Sequence, residues 1–156
     1  TGHYGYDLCL APRARVLRPS YSTPLAPRPI DPKRMHDSDF NDVHADTVNG
    51  ESVFVIHPRQ LFLGVTLEYI EMPRNVMGII LGKSTYARAG LIVNATPIEA
   101  GWKGHLTLEL VNTTDIPIIV YANEGIAQVV FLAGDETDGY DGKYQHQPCE
   151  PVVGRV

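Results

Sequence analysis

The chain has 156 residues, 44% hydrophobic and 20% charged, with a formal net charge of −5. That is one domain's worth of a globular protein, and its acidity offers no broad attraction to nucleic acid or to an anionic membrane. The two cysteines, Cys9 and Cys149, form no CxxC pair, which argues against a secreted disulfide scaffold and for a reducing, cytoplasmic setting.

No apolar run approaches the ~18 residues of a membrane helix, and no signal peptide is visible. In chain order, residues 11–34 are rich in proline and arginine and lack a periodic apolar pattern, so an irregular loop with solvated basic charge is expected. Residues 35–50 are acidic. Asp37, Asp39 and Asn41 match the opening of a calcium-binding EF-hand loop, but Asp42 stands where the glycine is required and Val48 where the closing glutamate is. A polar surface loop is the expectation there.

From residue 52 the pattern becomes β. The runs at 52–57, 61–70, 76–81, 91–95, 105–112, 116–121 and 126–132 are short and rich in β-branched residues, with Pro, Gly or Asn between most of them. Such spacing predicts an all-β sandwich or barrel, the jelly-roll being one such form, with little helix and not alternating βαβ units. Only residues 83–89, KSTYARA, suit a short helical turn. The Gly/Asp-rich stretch from Gly134 to Val156 is expected to be a mobile tail on a single domain spanning residues 1–156.

LGKSTYARAG, at 81–90, looks at first like the end of a phosphate-binding P-loop. That motif needs its first glycine five positions before Gly82, and Met77 stands there. The residues between read as a buried strand, whereas a phosphate cradle needs free amides, and Gly90 stops any long helix. The residue types still suit an anion. Lys83 is a point charge, Ser84 and Thr85 carry hydroxyls, and Arg88 is a planar fork one helical turn from Ser84. A surface turn with Arg88 paired to a carboxylate fits the spacing equally well.

In GHLTLELVN, at 104–112, alternation puts Leu106, Leu108 and Leu110 on one face and His105, Thr107, Glu109 and Val111 on the other. Glu109 therefore sits in mid-strand. Either that face is wet, or the carboxylate is held by a partner and used, for instance as a general base.

Together LGKSTYARAGLIVN, GWKGHLTLELVNTTDIPIIVYANEGIAQVVFL and GKYQHQ resemble the dCTP deaminase family, of the trimeric, dUTPase-like all-β fold. HYGYDL, at 3–8, resembles the segment after that family's opening helix. The resemblance implies hydrolytic deamination of dCTP to dUTP and ammonia without zinc. The H-x-E and P-C-x-x-C set of zinc deaminases has no counterpart in His44-Ala45-Asp46 or Pro148-Cys149-Glu150.

By resemblance, Glu109 activates water for attack at C4 of cytosine, while Ser84 and Arg88 hold the water and orient the glutamate. Lys83 and Thr85 match positions near the triphosphate. Thr96, Pro97 and Ile98 match the segment whose backbone reads the base. Tyr140, Lys143 and Gln147 match residues that fold over the phosphates. The resemblance also implies Mg²⁺ brought in with the nucleotide, a homotrimer with shared active sites, and dTTP as a feedback inhibitor, with neither nucleic acid nor membrane as a partner. Departures are Ala89 for a frequent Cys, Ala100-Gly101 for Pro-Glu or Pro-Gly, and Glu99 where some relatives and dUTPases have Asp. A dUTP diphosphatase, a bifunctional deaminase–diphosphatase and a non-enzymatic β-sandwich binding module are the competing readings.

Overall fold

The chain alternates short strands with turns, and the one α-helix among the described residues is a single turn. The computed structural model describes residues 4–18, 21–23, 26–27 and 29–154. His3 of HYGYDL, parts of the 11–34 segment and the last two residues of the expected tail lie outside that set. The strands are β1 (Gly5–Cys9), β2 (Arg13–Leu17), β3 (Tyr21–Thr23), β4 (Ala26–Pro27), β5 (Phe40–His44), β6 (Asp46–Val48), β7 (Glu51–Ile56), β8 (Leu61–Glu71) and β9 (Val76–Gly82). The helical turn α1 (Ser84–Arg88) follows, then β10 (Leu91–Asn94), β11 (Lys103–Asn112), β12 (Ile118–Tyr121) and β13 (Gly125–Ala133).

The largest sheet runs β10-β11-β8-β2-β5. Two three-stranded sheets, β1-β13-β9 and β12-β7-β6, and the β3-β4 hairpin complete the all-β fold. All seven strands expected between 52 and 132 are present, as is the helical turn.

The three larger sheets share one core. Leu8 and Leu10 meet Ile56 of β7, Phe62 of β8, Leu108 and Leu110 of β11, Val120 of β12, and Ile126 and Val129 of β13. Each such side chain contributes about 1.5–3 kcal/mol by leaving water. Phe54 and Phe62 meet edge to face at 4.9 Å, the arrangement the ring quadrupoles favour. β8 is buried continuously from Phe62 to Thr66, because its other face is also covered, in part by a small cluster of Phe40, Leu63 and Val153.

The register of β8 against β11 shifts between His105 and Thr107. Thr66, fully buried, repairs the gap: its hydroxyl accepts from the Leu106 amide at 2.9 Å and donates to the Glu68 carbonyl at 3.0 Å. A buried polar group is tolerable when satisfied in this way.

Two expectations are corrected. The region 11–50 is not one irregular loop, because β2 lies between β8 and β5. Its Ala14 is buried while the flanking arginines face outward, a strand pattern too short to stand out beside the prolines. Nor is all its basic charge solvated, since Arg15 bonds to Asp37 at 2.6 Å and to Asp42 at 2.8 Å. The acidic 35–50 stretch, expected as a loop, supplies those carboxylates and contributes β5 and β6.

Asn112, also fully buried, ties β11 to its surroundings. Its amide donates to the Ile56 and Ile116 carbonyls at 2.9 and 2.8 Å, and its oxygen accepts from the amide and hydroxyl of Thr114. Asn112→Ala strands the buried Ile56 carbonyl and should cost on the order of 1–3 kcal/mol, read as a lower midpoint in urea with an unchanged m-value.

Candidate active site

The pleat of β11 sends Leu106, Leu108 and Leu110 into buried positions and leaves Thr107, Glu109 and Val111 only partly covered. Glu109 opens onto a cavity of about 530 Å³. The loop 96–99, Trp102, Thr107, Tyr140, Tyr144 and Gln147 line it, together with the apolar Phe40, Leu61, Leu63 and Val152. The size suits a small organic ligand.

The loop is fixed from below. Ile98 and Gly78 exchange both backbone hydrogen bonds, at 2.8 and 2.9 Å. A Cβ at Gly78 would meet Val129 at 2.9 Å and Ile98 at 3.2 Å, so close packing explains the glycine that sits one place too late for a P-loop.

The tail builds the far wall. Trp102 donates its indole N–H to the Tyr144 carbonyl at 2.7 Å, and the Gln145 side chain bridges Lys103, Gly101 and Tyr140. Gln147 runs parallel to Gly104, and its carbonyl accepts from the His105 amide. The Thr107 hydroxyl donates to the Gln147 side-chain oxygen at 3.3 Å and accepts from the Val152 amide at 3.1 Å. Part of the stretch expected to be mobile, between Gln145 and Val152, is thus hydrogen-bonded to β11. Lys143 is not among the cavity-lining residues, and its ammonium stands 5.2 Å from the centre of the Tyr144 ring.

Glu109 is held by one side chain. Asn94, opposite it on β10, donates its amide to Oε2 at 3.3 Å. Burial pushes the Glu109 carboxyl above its ordinary value, and hydrogen bonds from its own backbone N–H and from the Asn94 amide partly offset this. The face is therefore neither fully wet nor sealed.

Of the expected site residues, Glu109, Thr96, Pro97, Ile98, Tyr140 and Gln147 share this cavity. Lys83, Ser84, Thr85 and Arg88 do not line it. They occupy α1 and the residue before it, with Ser84, Thr85 and Arg88 exposed. Arg88 was expected beside Glu109, but within one chain no hydrogen bond or ion pair joins them. Lys83 instead pairs with Asp7 at 2.8 Å, which holds the Asp7 carboxyl below its usual value.

α1 itself is firmly mounted. The Tyr121 amide donates to the Tyr86 hydroxyl at 3.3 Å, and Thr113 donates both its amide and its hydroxyl to the Gly90 carbonyl. Asn94, Trp102 and Tyr144 escaped the sequence reading; only strand register could have paired Asn94 with Glu109. No group of three or more His, Cys, Asp or Glu side chains is arranged to hold a metal ion, and no helix is long and apolar enough to cross a membrane, among the described residues.

A family model described as dCTP deaminase-like matches residues 1–134. A curated dCTP deaminase of Herpetosiphon aurantiacus is 46% identical over 149 residues, covering 92% of this chain and 75% of its own. One of Acinetobacter baylyi is 45% identical over 149 residues, covering 92% and 73%. Among solved structures, the 2'-deoxycytidine 5'-triphosphate deaminase from Agrobacterium tumefaciens aligns with a TM-score of 0.62 at 22% identity, over 84% of this chain and 39% of that one, a likeness of fold.

Two outcomes follow from the geometry. Gly90 closes α1 at φ +89°, and a Cβ there would run into the Thr114 methyl group. Gly90→Ala should cost about 1–3 kcal/mol, seen as a lower melting temperature. Glu109 has a folded-state pKa above its unfolded value, so its contribution to stability is fully present below the unfolded pKa and is lost as pH rises through the folded one. Glu109→Gln should therefore be more heat-stable than the parent at pH 7, and that advantage should shrink as pH falls through the raised folded-state pKa and be gone below the ordinary carboxylate range.

Proposed function

Because the chain belongs to the dCTP deaminase-like family, we propose that it hydrolyses dCTP to dUTP and ammonia in the cavity headed by Glu109. The observation that carries this reading is a partly buried mid-strand carboxylate with a raised pKa, facing a cavity the size of a small organic ligand. A base of that kind can take a proton near neutral pH and hand it on.

Water gives a proton to Glu109 as its oxygen bonds to C4 of cytosine. Glu109 passes that proton to N3 as the tetrahedral intermediate forms. It then takes the proton of the new C4 hydroxyl and delivers it to the exocyclic nitrogen; the C4–N bond breaks, ammonia leaves and a C4 carbonyl remains. Atoms balance as dCTP plus water giving dUTP plus ammonia. Ile98 already spends its N–H and C=O on Gly78. A backbone donor for the base edge therefore falls to Thr96, since Pro97 has no N–H, while the Pro97 and Ile98 carbonyls can both still accept.

The remaining groups support a shared site. Ser84 and Arg88 have the chemistry to hold water and orient a carboxylate, and Lys83 and Thr85 that to receive phosphates, yet none of the four lines the chain's own cavity. A second copy that lends its α1 would complete the site. Ile79 and Leu81 of β9, just before α1, and Leu132 of β13 are exposed apolar side chains that such a contact would cover. The assembly we propose is the homotrimer, with Tyr140, Lys143 and Gln147 of the tail over the phosphates.

Mg²⁺ fits as an ion carried on the triphosphate, since no carboxylate cluster among the described residues is arranged to hold it. Its chemistry there is neutralisation of phosphate charge. dTTP, similar in its sugar and phosphates, is proposed as an inhibitor that competes for the same cavity.

Product analysis tests the reading. dCTP should yield dUTP and ammonia, while dUMP with pyrophosphate would indicate diphosphatase activity, and no binding of any deoxynucleotide would leave only a non-enzymatic module. Glu109→Gln should lower turnover by at least about 10²-fold while nucleotide binding persists. Mixing inactive Glu109→Gln and Arg88→Ala proteins through unfolding and reassembly should restore activity. No recovery would place the whole site within one chain.

A further inference from the structure

Asn94 faces Glu109 for a reason built into the sheet. In the β10–β11 ladder they are direct partners, so both side chains project from the same face. The distance from Asn94 Nδ2 to Glu109 Oε2 is 3.3 Å. Across β11, Glu109 is paired with Leu63, which offers no polar group.

The other titratable or charged groups on this side are few. Glu99 and the tyrosines Tyr140 and Tyr144 line the cavity, and His105 lies further along β11 with its ring against Tyr69. Arg15 lies beyond Leu63 in the same cross-strand row, and Asp37 and Asp42 engage it. None of these hydrogen-bonds to Glu109; the Asn94 amide is the one side chain that does among the described residues.

We propose that Asn94 is a positioning residue for the general base: its amide fixes the Glu109 carboxylate and reserves Oε2 as a hydrogen-bond acceptor. The proton taken from water then goes to Oε1. An oxygen that already receives an N–H is the poorer proton acceptor of the two, so one side chain selects which oxygen shuttles the proton. The same bond favours the ionised resting state, in which the base can act. Within one chain that task falls to a neutral amide on the neighbouring strand; in the assembled site the amide would act beside the Arg88 guanidinium that a second copy lends, and the Asn94 variants leave that cation in place.

This inference rests on the reading of Glu109 as the base, and the test separates the two. In the full-length protein, the Glu109 side-chain carboxyl is titrated by carbon-13 NMR in the parent, Asn94→Ala and Asn94→Asp. The pH dependence of kcat and KM for dCTP is measured on the same proteins and on Glu109→Gln. Asn94 is exposed near the end of a strand, and the Asp variant nearly preserves its shape, so the pair guards against simple misfolding.

The Glu109 midpoint should rise by about half a pH unit or more in Asn94→Ala and further in Asn94→Asp, where a like charge replaces the donor. The acidic limb of kcat should move with it, while KM stays within about threefold of the parent. An unmoved midpoint in both variants overturns the proposal, as does a loss of kcat with an unmoved acidic limb. Full turnover in Glu109→Gln instead overturns the general-base reading, and the NMR titration still decides whether Asn94 sets the state of Glu109.

Discussion

The pleat of β11 is the constraint from which the site follows. Leu106, Leu108 and Leu110 must face the core together, and that requirement pins the strand to within one residue. A slip of one position would drive Glu109 into a dry interior and turn three leucines toward the cavity. The cost of that alternative far exceeds any single hydrogen bond, so apolar packing on one face fixes the carboxylate on the other. Asn94 inherits its place through the same ladder, as does the docking of the tail on Thr107.

Much of this was legible in the sequence because it repeats with a simple period. The strands from 52 to 132, the turn at α1 and the half-exposed face carrying Glu109 all follow from alternation and punctuation. β2 and β5 were hidden. RARVL and FNDVH are short, they alternate around charged residues, and the buried side of β2 shows only Ala14 and Val16. What holds them is long-range: pairing with β8, and an arginine held by two carboxylates from a stretch read as a separate acidic loop. No local pattern announces such pairing.

The candidate site was legible in its residue types and less so in its arrangement. Motif order placed Ser84 and Arg88 alongside Glu109, whereas within one chain they stand on a different element outside the cavity. Motif order carries residue identity and does not say which of those residues lie together within one chain. Asn94 was missed for a related reason: inside the strand run 91–95 it is one polar residue with no motif around it, and only its register against β11 gives it chemistry. Lys83 shows the converse. Its charge suggested phosphate, and the fold gives it Asp7 as a resting partner, so an incoming anion would compete with a carboxylate already in contact.

The pairing of β1 with β13 reaches across nearly the whole domain, joining Gly5 to Val130 and Asp7 to Gln128, and β13 in turn carries β9. Until β13 is in place, both β1 and β9 present bare strand edges, and Leu8 lacks its neighbour at Ala127. Closing such distant contacts is entropically slow, and exposed edges invite pairing with other chains in the meantime. The topology that seats the site therefore also makes folding late and all-or-none. Fragments ending before residue 125 should be prone to association through those edges, and the intact chain is protected chiefly by one strand laid between two others.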